Sequence, residues 1–479
     1  MYKLLGKLSI FGSWCNVSYV LEGNSPLGRV GHSAHVLCLE HQNIGNRPLI
    51  IMIGGANTLG VFNEAHILDI ISLKWYTVGL EQTINFPCLG RYEHSSAILN
   101  NRELLIFGGA TKTGPLSQLL RLQIHCLSTP KTSSVYDVDE ITASLNQDHS
   151  QTDIQQFIYE PRTQHSSVSL TEHNQLLVFS GGDVSSKAVP DDKVHMYDSE
   201  INVWSIIPVE GLPPCSRLGH LILYELPYQL TSSNYERIPK GKLYIHGGMV
   251  NEKLFDDIYV LHFTNQTDDS LRFKGMWSKL YPTDKLSPFT TGHGNGENEC
   301  ECLNSEDIGL TQTTSPGPRA AHGGIILTNK IYGHDTSKIL IFGGLSLNGA
   351  LNDMFCFDTN TRQWTEIKYQ DSVSPSPRLD FAYCTFSLIV KKDSKSNSSM
   401  NIIFKDKQYN HDIDNGDKAS DDINDKDEYY QEYLFIHGGM DTHGTVFDDA
   451  YIILLSEYQL SNPMNARTIL DQSPSRTKC

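Results

Sequence analysis

Long apolar runs are missing from this chain of 479 residues. A membrane-crossing helix needs about 18 or more nearly continuous apolar residues, and no stretch approaches that. The opening residues, MYKLLGKLSIFGSWC, also lack the unbroken apolar segment of an export signal. Positive charge is short: 38 Lys and Arg stand against 55 Asp and Glu, a formal net charge of −17. Nucleic acids are held through clustered Lys and Arg on their phosphates, so this balance argues against such a binder. Cysteine occurs ten times but never as C-x-x-C, so neither a zinc module nor a disulfide framework is indicated. Cys300 and Cys302 flank one Glu in an acidic stretch and read as free surface thiols. Cys479 is the last residue rather than the fourth from the end, so it makes no prenylation signal. The expectation is a soluble, cytoplasmic protein with reduced thiols and no direct membrane insertion.

Catalytic signatures are absent too. No P-loop, G-x-S-x-G or H-E-x-x-H occurs, nor does the sialidase box S-x-D-x-G-x-T-W. Glu252 and Asp256 have the spacing of an iron-binding E-x-x-x-D-x-x-x-H, but Val260 stands where the His would be. No enzyme, no catalytic residue, no metal and no cofactor is expected.

What the chain has instead is repetition. An Arg-x-x-His unit begins at Arg29, Arg91, Arg162, Arg217 and Arg319, placing His32, His94, His165, His220 and His322 in one slot. A sixth copy at Arg378 carries Phe381 in that slot. Each copy leads into an apolar run that ends in two glycines: Gly54 and Gly55, Gly108 and Gly109, Gly181 and Gly182, Gly247 and Gly248, Gly343 and Gly344, Gly438 and Gly439. Another apolar run follows, often opened by an acid, as in FDDIYVLH from Phe255; the second unit lacks the acid. A Trp then starts a fourth run at Trp75, Trp204, Trp277 and Trp364. Runs this short, β-rich and bounded by Gly, Asn, Asp and Pro are strands. Ligands of one metal must converge within about 2.0–2.1 Å of it, so one His copied per repeat reads as structural. His35 looks like a partner for His32 but has no counterpart in the other copies.

Four strands, a glycine pair and a Trp per unit resemble the kelch repeat. The resemblance implies an all-β fold: a six-bladed propeller with four antiparallel strands per blade. The expected blades are 28–87, 91–160, 162–213, 217–282, 319–370 and 378–455. Trp14 precedes the first Arg-x-x-His, and no Trp strand follows FDDAYIILL. Residues 11–22 are therefore expected to supply the outer strand of the last blade, closing one domain over 11–455. Insertions without the repeat pattern are expected as disordered loops at 128–157, 283–316 and 391–430, and a polar tail at 456–479. Loops between blades, and loops after each glycine pair, should share one face of the disc. Loops on that face are solvent-facing on a rigid scaffold, which makes Asn57, Lys112, Asn251, Lys253, Asp441 and His443 candidate partner contacts.

Within the kelch family the wording is similar to the short kelch-motif effectors of the late-endosomal Rab-nine GTPase. The similarity lies in RVGHS at 29–33, GGAN at 54–57, RYEHSS at 91–96, HGG at 246–248 with FDD at 255–257, and GGMDTHGTVFDDAYI from 438. The longer loops at 128–157 and 283–316, and Phe381, depart from it. The resemblance implies a monomeric, non-enzymatic scaffold that binds a GTP-loaded Rab GTPase and is recruited by it to endosomal membranes, in endosome to trans-Golgi transport. A substrate receptor of a ubiquitin ligase and an actin-binding kelch protein are the competing classes.

Overall fold

The structure is a computed structural model. It describes residues 13–41, 45–80, 89–99, 103–127, 140–145, 160–170, 173–183, 185, 187–226, 241–265, 273–282, 315–328, 337–369, 373–392, 400–403, 428–459 and 462–468. No α-helix occurs among them, and so no helix long and apolar enough to cross a membrane.

Six small antiparallel sheets form a ring, one blade per repeat. Blade one is Ser33–His41, Gly45–Ile53, Ala65–Asp69 and Lys74–Thr77, each strand pairing with the next. Blades three, four and five repeat that order, with fourth strands at Val203–Ile206, Phe273–Tyr281 and Gln363–Glu366. The first strand of each blade lies innermost, and the fourth lies at the rim.

The apolar core is not central. It is divided into six clusters, each spanning the joint between two blades. Between blades three and four, for example, Phe179 and Val194 meet Leu243 and Trp277. Each Trp fills one wedge against the second strand of the preceding blade: Trp204 lies 5.1 Å from Phe107 and Trp364 lies 5.4 Å from His246. A large ring is suited to this place because it covers the most area between sheets that splay outward. Blade two has no Trp, and its joint with blade one is filled by aliphatic residues such as Ile51, Ile67 and Leu104.

Blade six closes the ring as expected. Its strands Ala382–Lys392, Glu428–His437 and Ala450–Gln459 are completed by Trp14–Asn16, which pairs antiparallel with Tyr451–Ile453. Trp14 is 3% exposed and packs on Phe342 of blade five at 5.2 Å, so it takes the Trp slot of the blade it joins.

Three expected loop boundaries require correction. Segment 128–157 holds the fourth strand of blade two, Glu140–Leu145, paired with Leu119–Leu127. In segment 391–430 the first strand continues to Lys392, Met400–Ile403 pairs beside it, and the second strand begins at Glu428. The tail contains the strand Asn462–Thr468, which folds back on Ser456–Gln459. The acidic core of the third insertion, and 283–314 of the second, lie outside the described residues.

Candidate functional site

The repeat residues assemble into one architecture at the inner end of each blade. The six Arg side chains, each at most 2% exposed, point inward to the glycine turn of their own blade. Arg29 donates from Nη1 to the Gly54 carbonyl at 2.9 Å and from Nη2 to Glu64 Oε1 at 2.7 Å. Arg217, Arg319 and Arg378 repeat this with the carbonyls of Gly247, Gly343 and Gly438 and the carboxylates of Asp257, Asp353 and Asp449. Arg162 uses Asp191 at 3.1 Å. In blade two, where the sequence lacks the acid, Gln118 Oε1 takes its place against Arg91 at 3.0 Å. A buried guanidinium is tolerable only with such charge-assisted partners, and its planar fork meets two acceptors at once.

The glycine pair answers two different demands. The second glycine donates its N–H to the carbonyl of the next blade's Arg, from Gly55 to Arg91 at 2.8 Å through to Gly439 to Arg29 at 2.9 Å. A Cβ on Gly55 would stand 2.8 Å from His32 Cβ, so the close approach excludes any side chain. The first glycine holds φ near +64° in blade one, the left-handed region. Blade three corrects the expected register. There Ser180, at φ +50°, occupies the first slot and receives Arg162, while Gly181 fills the second. Gly182 lies one residue beyond it.

The His slot faces the joints between blades. His32 Nε2 lies 3.1 Å from His437 Nδ1 of blade six, and His322 Nε2 lies 2.8 Å from His246 Nδ1 of blade four. His94 Nε2 meets Ser33 Oγ at 2.9 Å. His165 and His220 stand edge-on to Phe107 and Phe179. Burial, reinforced by the neighbouring Arg charges, lowers the pKa of His94, His220, His246 and His437 to about 3. His32, His165 and His322 are driven well below the ordinary value for the same first cause. These imidazoles are neutral. His35 reaches Ser96 Oγ at 2.6 Å rather than His32. Among the described residues no three His, Cys, Asp or Glu side chains gather as a metal site would require.

One feature escaped the sequence. The residue before each His slot, Gly31, Glu93, Gln164, Gly219, Ala321 and Asp380, has positive φ. Each of these six donates its N–H to the carbonyl of the same residue in the preceding blade, at 2.7–3.1 Å, and the bond from Gly31 to Asp380 closes the circle. No shared residue type marks this slot, which is why no pattern revealed it. The circle rims a central channel of about 520 Å³ lined by the first strands. Burial, with the Glu93 carboxylate nearby, raises the Asp380 pKa to about 7.

The candidate partner residues lie at the same end of the blades as this circle, on the hairpin tips after the glycine pairs. Asn57 is engaged by its own loop: Nδ2 donates to the Gly28 carbonyl at 2.9 Å and Oδ1 accepts the Leu59 N–H. Asp441 likewise accepts the N–H groups of His443 and Thr445 at 2.8 Å. Lys112, Asn251, Lys253 and His443 are exposed.

Comparison with known proteins agrees with this geometry. Residues 12–221 match the family model described as the KLHDC2/KLHL20/DRC7 Kelch-repeats domain, and 336–371 match the Kelch motif. These matches place kelch repeats on the six-bladed propeller. The chain is similar to the mouse (Mus musculus) "Rab9 effector protein with kelch motifs", 26% identical over 445 residues, covering 90% of this chain and 91% of the relative. The human (Homo sapiens) protein of the same name is 29% identical over 242 residues, 49% of this chain and 53% of the relative. "Kelch repeat-containing protein 2" of Saccharomyces cerevisiae is 26% identical over 224 residues, 46% of this chain but 21% of the relative.

Proposed function

We propose that this kelch propeller is a non-catalytic effector of a Rab GTPase: it binds the GTP-loaded form and is drawn by it from the cytoplasm to endosomal membranes, in endosome to trans-Golgi transport. The observation that carries this reading is the mouse relative, whose similarity runs through nine-tenths of both chains rather than through a few repeats. Two further facts support it. The repeat residues are consumed by the scaffold, with Arg, His and Gly all bonded or packed within the joints. The hairpin tips vary from blade to blade on a frame that the glycine turns hold rigid. Nucleotide selectivity would follow from the switch loops, which are ordered in the GTP state of such GTPases and released in the GDP state.

The test is direct binding of the purified chain to a panel of Rab proteins, each loaded with a non-hydrolysable GTP analogue or with GDP. One or more members should bind at least tenfold tighter in the GTP form. Equal binding of both forms, or none across the panel, would remove the reading.

A further inference from the structure

The two kinds of hairpin tip are not distributed evenly. Leu59 on blade one and Leu347 on blade five are 78% and 82% exposed, and Leu27, just before Arg29, is 55% exposed. All three lie on the face carrying the glycine-pair loops, and the tip of blade six, Asp441–Thr445, stands between them. The spacing is close. A Cβ on Gly349 of the Leu347 hairpin would come within 3.3 Å of Thr442 Oγ1, and one on Gly28 within 3.0 Å of the Phe447 carbonyl. Asn57 ties the Leu59 hairpin to Gly28. The three leucines therefore stand along one continuous arc over blades five, six and one.

The other half of the face is different. The tips of blades two, three and four carry Lys112, Lys187 and Lys253, all exposed. Lys112 adjoins the arc, since a Cβ on Gly60 would lie 3.4 Å from its Nζ. Two of the nearby carboxylates are turned to their own backbones: Asp183 caps Ser185 and Lys187 at 2.7 and 3.0 Å, and Asp441 caps its own turn. Asp183 shares its tip with Lys187 and the exposed Glu252 stands beside Lys253, so of the three lysines only Lys112 has no acid at its own tip.

Exposed leucines on rigid turns have no role in the core of this chain, whereas apolar side chains desolvated by a partner supply the anchoring energy of an interface. A charge at the edge of such a patch steers and orients the partner. Resting on the effector reading above, we propose that the Leu27, Leu59 and Leu347 arc, flanked by Lys112, is the surface that receives the GTP-bound GTPase, and that the partner presents an apolar patch bordered by carboxylates.

The experiment measures affinity for whichever Rab the panel identifies, using its GTP-analogue form and the full chain. Leu59→Ser with Leu347→Ser should weaken binding at least tenfold while the thermal transition is unchanged, because both side chains are exposed. Lys112→Glu should weaken it severalfold and flatten its dependence on ionic strength. Ile201→Ser, on the opposite face and 58% exposed, should leave binding as it was. If the unmodified chain binds the Rab and the double leucine variant binds equally well, the surface assignment is wrong and the effector reading stands. If the unmodified chain binds no Rab, both fall.

Discussion

His32 and His437 place Nε2 and Nδ1 3.1 Å apart across the joint between the first and last blades. Such a contact needs one ring to donate and the other to accept, so the two rings cannot both be protonated. Stability should therefore depend on pH. The folded-state values of His94, His220, His246 and His437 are lowered to about 3, from an ordinary value near 6.5. The unfolded chain then binds more protons throughout the interval between. Stability is complete above pH 6.5 and declines as pH falls toward 3. At pH 5 each such histidine costs up to about 2 kcal/mol. Urea titrations at pH 7.5 and 5.0 should show a clearly lower midpoint in acid; equal midpoints would contradict neutral, buried histidines.

Arg378→Ala should destabilise the fold by up to about 3–5 kcal/mol, since it strands the Gly438 carbonyl in a buried joint and leaves the partly exposed Asp449 carboxylate without its partner. Arg378→Lys should recover little, because one ammonium cannot reproduce the fork that meets both. Chemical denaturation checks each; a lysine variant as stable as the parent would show that charge alone is sufficient.

Trp14→Ala should cost about 3–5 kcal/mol by emptying the wedge against Phe342. Deleting residues 1–22 should cost more, as it also strips the outer edge of Tyr451–Ile453. Calorimetry of both variants tests this. An unchanged melting transition after the deletion would mean that the N-terminal strand does not latch the ring.

Two glycines with the same backbone angle should behave differently. Gly55 and Gly444 both lie near φ +89°, but a Cβ on Gly444 would meet nothing within 4 Å. Gly444→Ala should therefore cost only the left-handed penalty, about 1–2 kcal/mol. Gly55→Ala must also push His32 aside and should be markedly worse. Comparable midpoints for the two would show that the joint can relax around an added methyl group.

Blade count, strand order and the Trp14 closure were legible because each rests on residue types with few substitutes: a glycine at a close approach, a Trp in a wedge. Blade three shows the limit. The doubled glycine at 181–182 suggested the turn, yet the apolar run ending at Phe179 sets the slot one residue earlier, and Ser180 adopts the left-handed angle with its Oγ accepting the Arg217 N–H. Counting from the end of the apolar run would have revealed it. The strand Glu140–Leu145 has no Trp to announce it, and Asn462–Thr468 begins with Asn-Pro, a pair usually found in turns. Pro is nonetheless tolerated on an edge strand, where its missing N–H would face no ladder partner. The leucine arc could not be seen at all, because an exposed leucine and a buried one are written alike.

The closure also has a consequence for biosynthesis. Trp14 is synthesised 439 residues before its partner Ile453. Over that interval Trp14 has no strand to join, and blade one has no neighbour on the side where His437 will stand. Long-range contacts of this kind form slowly, and growing chains expose them to misassembly. Closure of the ring is thus a late event for the Trp14 strand, which must wait, unpaired, until the last blade is complete.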